Sequence, residues 1–153
     1  MKPQDFLDML APPAQACQRT SGIPASFTLA QAALESGWGA KAPGCNLFGI
    51  KADKLWKGPV VMVSTHEVIA GKRIGIDDAF RCYKNYGEAL ADRAAFFKRN
   101  PRYAKCFAET TGHGWARAVA AAGYATAPNY ADILIAVMDG RNMTRYDTLP
   151  AVA

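Results

Sequence analysis

Residues 24–39 read PASFTLAQAALESGWG, and this segment predicts the central element of the fold. Apolar side chains recur along it at spacings of 3, 4 and 4, at Phe27, Ala30, Leu34 and Trp38. This repeat is the pattern of one face of an α-helix. The other positions are rich in alanine and other small residues, so neighbouring elements can approach closely. Such a helix is typical of the centre of an α-helical core, and Gly37 and Gly39 predict its end.

A β-hairpin is predicted further along the chain. Residues 40–58 are rich in glycine and proline and indicate an irregular segment. In residues 60–67 the side chains fall into two alternating sets, which is the pattern of a strand. Val61, Val63, Thr65 and Glu67 form one set, and the residues between them form the other. Ala70-Gly71-Lys72 offers a turn, and residues 73–76 and 79–83 can return as the second strand. We therefore expect a hairpin with an exposed tip.

Helices are predicted on both sides of this hairpin. The first covers about residues 3–20, and Pro12-Pro13 is expected to break or restart it, because proline lacks the N–H donor. Apolar stripes predict further helices after Tyr86, at residues 102–109, at residues 114–122 and from Asn129 onward. The predicted fold class is mainly α (α+β), a lysozyme-like helical domain with a small β-hairpin. We expect one catalytic domain at residues 1–146 and a flexible tail at residues 147–153.

The composition of the chain limits the classes of partner that the protein is expected to bind. The net charge of +5 is scattered without a block of basic residues, which disfavours nucleic acid and suits an anionic cell wall. No apolar run approaches the roughly 20 residues of a membrane helix, so stable membrane insertion is not expected. The first residues do not have the pattern of a Sec signal. The four cysteines and two histidines lack the spacing of zinc ligands, and we expect free thiols and no metal.

Glu35 is the candidate catalytic acid. Cleavage of a glycosidic bond needs an acid that protonates the leaving oxygen and a second group that stabilises the sugar cation or activates water. A carboxyl group keeps its proton at neutral pH only where its surroundings raise its pKa. Leu34 and Trp38 supply apolar bulk near Glu35 in the sequence, and the negative end of the helix dipole acts in the same direction. The residues alone leave open that Glu35 is a solvated surface glutamate.

Several motifs stand in a fixed order over residues 5–140. They are LAQAALESGWG at 29–39, NLFGIKA at 46–52, FRCY at 80–83, NPRY at 100–103 and GYATAPNY at 123–130. In these motifs the chain resembles the glucosaminidase domain family of bacterial cell-wall hydrolases, the family 73 glycoside hydrolases. This family includes phage endolysins and the hydrolase domain of the flagellar rod cap. The chain departs from it at Ala127, where the family often has an acidic residue.

The resemblance implies a role for individual residues. Glu35 would be the general acid, Glu67 on the hairpin the second carboxylate, and Tyr124 a hydrogen-bond donor to the acetamido group or to water. Asp77 and Asp78 are rivals of Glu67, although they equally suit a turn. The acetamido group of the substrate is an alternative nucleophile, which would make Glu67 secondary. The implied substrate-binding residues are Trp38, Asn46, Phe48, Gly49 and Tyr130, the last of which equally suits core packing.

The expected function is that of an endo-β-N-acetylglucosaminidase without a cofactor. It would cleave the β-1,4 bond between N-acetylglucosamine and N-acetylmuramic acid in peptidoglycan. A muramidase or lytic transglycosylase is the alternative enzyme, and a non-catalytic wall-binding module is the alternative of another class. We expect a monomer that is made in the cytoplasm without a Sec signal and acts in the periplasm or cell wall. A phage or prophage lysin is favoured over an exported remodelling or effector enzyme.

Overall fold

The computed structural model describes residues 1–151, without the side chain of Glu67. Helices come first, one hairpin follows, and helices resume, so the mainly α prediction with a small hairpin is confirmed. The α-helices are α1 (Pro3–Ser21), α2 (Ala25–Ser36), α3 (Tyr86–Arg99), α4 (Gly112–Ala121) and α5 (Tyr130–Gly140). The strands are β1 (Val60–Ile69) and β2 (Lys72–Arg81). Short 3-10 helices cover Pro43–Cys45, Pro101–Ala108 and Met143–Asp147.

Helix α2 is the centre of the core. Every residue from Ala25 to Ala33 is buried, so the helix is enclosed on all sides and not only along the predicted stripe. It contacts α1, α4, α5 and the last 3-10 helix. The helix ends at Gly37, whose left-handed backbone (φ 59°) lets its N–H bond to the carbonyl of Ala33. Glu35, in the last turn, is exposed and faces away from this enclosure.

Helix α1 passes through Pro12 and Pro13 without ending, so the predicted break is wrong. Its buried face lies on both sides of the prolines and consists of Phe6, Leu7, Leu10, Ala11, Ala14 and Cys17. This single surface packs against α2 and α3. Burial of the continuous face offsets the loss of the proline N–H donors, which local sequence alone does not reveal.

An aromatic cluster joins α2, α3 and α4. The ring centroid of Trp115 lies 5.5 Å from that of Phe27 and 5.8 Å from that of Phe97. Phe97 also contacts Tyr103, at 5.1 Å, and Tyr124, at 6.0 Å. The cluster therefore runs from the middle of the core to the loop after α4, where Tyr124 lies.

The hairpin pairs in regular antiparallel register from Val60 opposite Arg81 to Ile69 opposite Lys72. Strand β2 is continuous through Asp77 and Asp78, which pair with Ser64 and Val63. The possibility that these aspartates form a turn is therefore excluded, because the ladder to β1 uses their backbone groups. Near the tip Val68 is 74% exposed, as predicted for an uncovered end.

A buried arginine fastens the base of the hairpin to the helices. Arg81 is 3% exposed and donates hydrogen bonds to Asp92 at 2.9 Å and to Asp53 at 3.1 Å. Its Nε also donates to the carbonyl oxygen of Lys51 at 3.1 Å. Tyr83 donates to the same carboxylate of Asp92. The base of the hairpin is thus held by charged hydrogen bonds, whereas its tip extends into solvent.

The last 3-10 helix is part of the packed structure. The carboxylate of Asp147 accepts hydrogen bonds from the backbone N–H and the hydroxyl of Ser26, both at 2.7 Å. Ser26 lies in the first turn of α2, where free N–H groups attract an anion. Arg19 donates to the carbonyl of Pro150 at 2.8 Å. The domain boundary predicted after residue 146 therefore falls inside an element that contacts α1 and α2.

The cysteines are free thiols, with Cys17 and Cys106 buried and Cys45 and Cys82 half-buried. Within residues 1–151, the helices all fall short of the length and apolar character needed to cross a membrane.

Candidate active site

Glu35 projects from the C-terminal end of α2 into solvent. The chain turns back directly after it, and the N–H of Trp38 also bonds to the carbonyl of Ala33, at 2.9 Å. Ser36 is buried and bonds through its hydroxyl to the carbonyl of Ala32 at 2.6 Å, while its oxygen accepts the N–H of Gly39. These bonds use the backbone groups at the helix end and fix the direction of the last turn. Glu35 is therefore an exposed carboxylate on a rigid support.

Two adjacent surface cavities meet at Glu35. The larger, of about 470 Å³, is lined by aromatic residues and by cations, among them Phe48, Phe96, Tyr124, Lys51 and Arg99. The smaller, of about 180 Å³, lies towards the hairpin and includes Val63 and Phe80. Glu35 and Gly49 line both cavities. The carboxyl group thus lies inside a groove, with binding space on either side.

A chain of hydrogen bonds supports Glu35 from inside the core. The hydroxyl of Tyr130 donates to Oε1 of Glu35 at 2.7 Å and accepts from Nε2 of Gln31 at 3.0 Å. Oε1 of Gln31 in turn accepts two hydrogen bonds from Arg93, at 2.9 and 2.7 Å. Tyr130 is 5% exposed, so its hydroxyl serves the glutamate rather than open solvent. Burial raises the pKa of Tyr130 above its ordinary value, and the hydroxyl keeps its proton at neutral pH.

Tyr124 lies directly beside this chain. Its ring stacks on that of Tyr130, with centroids 5.8 Å apart and planes at 17°. It lines the larger cavity together with Glu35. Burial raises the pKa of Tyr124 to about 12, so its phenol also stays protonated at neutral pH. Tyr124 and Glu35 therefore line the same cavity.

The segment 46–50 forms the floor of the groove. Phe48 is 8% exposed and lines the larger cavity. Gly49 has a φ of 64°, and a side chain there would be strained. Asn46 is 3% exposed and donates both amide hydrogens, to the carbonyls of Ile50 at 2.8 Å and of Arg81 at 3.0 Å. Its oxygen accepts the N–H of Ile50, so its amide closes the loop, and the residue also lines the smaller cavity.

Trp38 is turned away from the groove. Its ring packs edge-on against Phe6 at 5.7 Å, and the guanidinium of Arg141 lies 5.8 Å above it. Neither Trp38 nor Leu34 is among the residues that line the two cavities at Glu35. The apolar bulk that these two sequence neighbours supply therefore lies outside the cavities at Glu35. The cause is the left-handed backbone of Gly37 and of Trp38 itself (φ 58°), which reverses the chain towards α1.

The hairpin carboxylates differ in position. Asp77 accepts a hydrogen bond from Ser64 at 2.7 Å on the exposed side of the sheet. Asp78 is opposite Val63, a residue that lines the smaller cavity, and it pairs with Lys51 at 3.3 Å. Position 67 lies four residues beyond Val63 on β1 and opposite Ile74. The side chain of Glu67 lies outside the described part of the structure.

Comparison with known proteins agrees with this geometry. Residues 11–143 match the family model for glucosaminidase, described as mannosyl-glycoprotein endo-beta-N-acetylglucosaminidase. The chain belongs to the glucosaminidase family. The match covers all of the residues that line the groove, and it confirms the resemblance seen in the sequence motifs.

The glucosaminidase domain is similar to three curated proteins. It is 45% identical over 135 residues to the peptidoglycan hydrolase FlgJ of Salmonella typhimurium, covering 84% of this chain and 43% of FlgJ. It is 37% identical over 152 residues to the exo-glucosaminidase LytG of Bacillus subtilis, covering 94% and 53%. It is 34% identical over 152 residues to a probable N-acetylmuramidase of Lactococcus lactis, covering 93% and 34%. The chain thus spans about half or less of the length of these relatives.

The glucosaminidase domain also matches a solved structure from one of these relatives. A C-terminally truncated glycoside hydrolase domain of Salmonella typhimurium FlgJ superimposes with a TM-score of 0.82 and 42% identity, covering 93% of this chain and 99% of that domain. This similarity confirms the predicted fold class. The prediction of a glycoside hydrolase is confirmed at the level of the family.

Two residues of the glucosaminidase site were missing from the sequence prediction, Gln31 and Arg93. Gln31 precedes Glu35 by one helical turn and therefore shares its face of α2. Arg93 lies in the apolar stripe of α3, three residues after Leu90 and four before Phe97, and is buried with them. A charged residue on a buried stripe was the signal that could have revealed it. Among the described side chains, no group of three or more metal-ligating residues accompanies the site.

Proposed function

We propose that this chain is a peptidoglycan hydrolase that cleaves the β-1,4 bond between N-acetylglucosamine and N-acetylmuramic acid, on the glucosamine side. The observation that carries the proposal is the position of Glu35, in a groove with space on both sides and hydrogen-bonded to Tyr130 at 2.7 Å. A glycan strand that lies along this groove brings a glycosidic oxygen to the carboxyl group. An endo-acting enzyme needs such a groove because the strand continues on both sides of the cleaved bond.

The lining of the groove suits an anionic glycan. Phe96 and Tyr124 offer aromatic surface on which a sugar ring can stack. Arg99 is exposed at the end of α3, beside the ring of Phe96 at 5.8 Å, and forms no ion pair with the described side chains. Its guanidinium is available to a carboxylate of the muramic acid or of its peptide. Nucleic acid is not proposed as a partner, and the protein is proposed to act as a monomer.

Glu35 acts as the general acid in the proposed reaction. It gives its proton to the glycosidic oxygen as the bond to the anomeric carbon breaks, and the sugar gains oxocarbenium character. Among the described side chains only its Oε1 is hydrogen-bonded, which leaves Oε2 to face the substrate. Tyr124, protonated and next to Glu35, is proposed to donate to the acetamido group or to the attacking water.

Glu67 is proposed as the second carboxylate, with Asp78 as its rival. Alternate positions of a strand share a face, so position 67 lies on the same face of β1 as Val63. Four residues of strand separate the two positions by about 13 Å. Closure of the hairpin over a bound glycan strand would shorten the distance between positions 67 and 35. Asp78 lies nearer to the smaller cavity but is engaged by Lys51.

One observation favours the hypothesis that the chain is a muramidase, namely its similarity to a protein named as a probable N-acetylmuramidase. Mass spectrometry of borohydride-reduced digestion products distinguishes the two cleavages. The proposed activity leaves reduced N-acetylglucosamine at the new chain ends. Reduced N-acetylmuramic acid would indicate a muramidase, and an anhydro-muramic end a lytic transglycosylase. Release of single sugars instead of oligosaccharides would indicate exo action, as in the name of LytG.

The proposed place of action is the bacterial cell wall, reached in the periplasm or from outside. A phage or prophage lysin is the proposed source, and an exported remodelling or effector enzyme is its rival. The neighbouring genes test this choice, because a lysis cassette would support the first and a secretion operon the second. A non-catalytic wall-binding module is the least favoured reading, since the internal hydrogen bonds of the site are directed at one carboxylate.

A further inference from the structure

A buried positive charge lies behind the site. Arg93 is 1% exposed, and among the described side chains it has no carboxylate partner. Its guanidinium carbon lies 4.6 Å from the ring centroid of Phe48 and 4.9 Å from those of Phe27 and Phe97. Its hydrogen bonds go to Oε1 of Gln31 and to the hydroxyl of Thr28, at 3.1 Å. Burying a cation without an anion is costly, which indicates that Arg93 has a role beyond packing.

The charge of Arg93 fixes the orientation of Gln31. A guanidinium only donates hydrogen bonds, so the amide must present its oxygen to Arg93 and its NH₂ group to the other side. Burial lowers the pKa of Arg93 to about 10, and the group stays charged at neutral pH. The amide of Gln31 is therefore held with Nε2 towards Tyr130, and the hydrogen bond at 3.0 Å follows.

The orientation of Gln31 then fixes the hydroxyl of Tyr130. The phenol oxygen accepts from Nε2 of Gln31, so its own proton is directed to the remaining neighbour, Oε1 of Glu35, at 2.7 Å. The direction of every bond from Arg93 to Glu35 is thus determined by the arginine. Oε1 is an obligatory acceptor, and a proton on Glu35 must reside on Oε2.

We propose that Arg93 is a positioning residue of the acid, acting through Gln31 and Tyr130 to hold the catalytic proton of Glu35 on Oε2. This inference rests on the proposed role of Glu35. In the reaction the proton leaves Oε2 for the glycosidic oxygen as the C–O bond breaks, and Tyr130 keeps its proton throughout. The carboxylate that results retains the hydrogen bond from Tyr130, so the chain does not have to rearrange.

Gln31→Glu tests the direction of the chain with almost no change of shape. The new carboxylate forms an ion pair with Arg93, so the Tm should not fall. It has no N–H to give, and the proton of Tyr130 is drawn towards residue 31 and away from Glu35. We expect kcat on soluble peptidoglycan fragments to fall roughly 10- to 100-fold, with KM within about twofold of the wild type. An unchanged kcat in the folded variant would overturn the inference.

Three further variants make the test independent of folding. Tyr130→Phe removes the same hydrogen bond to Glu35 and should lower kcat by a similar factor. The double variant should lose little more than either single one, because both interrupt one chain. Losses that multiply would contradict a shared role. Thr28→Val is the matched control, since it removes the other partner of Arg93 without touching Gln31, and its kcat should equal that of the wild type.

Failure of this inference can be told apart from failure of the proposed function. If the wild type cleaves peptidoglycan and Glu35→Gln does not, the proposed function stands whatever Gln31→Glu does. If Gln31→Glu is then fully active, only the role of Arg93 is overturned. If the folded wild type does not cleave peptidoglycan, the proposed function itself is wrong.

Discussion

Replacing Asn46 with alanine should destabilise the protein and disturb the floor of the groove. The amide makes three hydrogen bonds, to the carbonyls of Ile50 and Arg81 and from the N–H of Ile50, at 2.8, 3.0 and 3.1 Å. The side chain is 3% exposed, so water does not replace these bonds without rearrangement. At about 1 kcal/mol for each lost bond, the free energy of unfolding should fall by about 3 kcal/mol.

This loss is large enough to measure directly. For a chain of this length 1 kcal/mol corresponds to about 3 °C, so the Tm should fall by about 9 °C. Thermal unfolding followed by circular dichroism gives the Tm, and clearing of a peptidoglycan suspension gives the activity. The activity should fall too, because Phe48 and Gly49 lie inside the loop that Asn46 closes.

Asn129→Ala is the matched control, because Asn129 is exposed and its side chain makes no capping bond at the start of α5. Its unfolding free energy should change by less than about 0.5 kcal/mol. If Asn46→Ala keeps the Tm of the wild type and only raises KM, the stabilising role of Asn46 is contradicted. That result would mean that the amide is available to the substrate.

Three further predictions concern the carboxylates, the buried phenol and the C-terminal contact. Glu67→Gln should lower kcat about 100-fold while Asp77→Asn leaves it unchanged, and a larger loss in Asp78→Asn, measured in the same assay, would transfer the role to Asp78. Burial raises the pKa of Tyr124 from 10.0 to about 12, so the phenol loses its proton at a lower pH in the unfolded chain than in the folded one. The free energy of unfolding should therefore fall as the pH rises from 10 to 12. The free energy of unfolding can be measured by chemical denaturation at pH 10 and at pH 12. Between these pH values it should fall by about 2 kcal/mol less in Tyr124→Phe than in the wild type, whereas equal decreases would contradict the burial of Tyr124. Asp147→Ala should lower the free energy of unfolding by about 2 kcal/mol, because two bonds at the start of α2 are lost, and an unchanged Tm would show that this contact is dispensable.

The central helix and the hairpin were predictable because each has a local signal. The apolar repeat and the glycines after it delimit α2, and the helix ends at Ser36 as expected. The exposed tip of the hairpin follows from alternation and a glycine turn. The break at Pro12-Pro13 was a wrong prediction because it weighed local strain alone, whereas a face buried on both sides of the prolines keeps α1 continuous.

The support of Glu35 was harder to predict because it depends on contacts between distant segments. Tyr130 follows Glu35 by 95 residues, and Arg93 follows Gln31 by 62 residues. Trp38, in contrast, is a neighbour in the sequence that the left-handed turn at Gly37 directs against Phe6 of α1. Local sequence therefore pointed to a candidate acid but not to the residues that surround it.

Glu35→Gln is the decisive variant for the assignment of Glu35 as the catalytic acid. Glutamine has nearly the same shape, and its Oε1 can still accept the hydrogen bond from Tyr130, but it cannot release an acidic proton. The measurement is the rate at which reducing ends appear in purified peptidoglycan, with Glu88→Gln, at an exposed position of α3, as the matched control. We predict that Glu35→Gln lowers this rate by about 1,000-fold at an unchanged Tm while the control keeps the wild-type rate. A folded Glu35→Gln variant that cleaves at the wild-type rate would contradict the assignment of Glu35 as the catalytic acid.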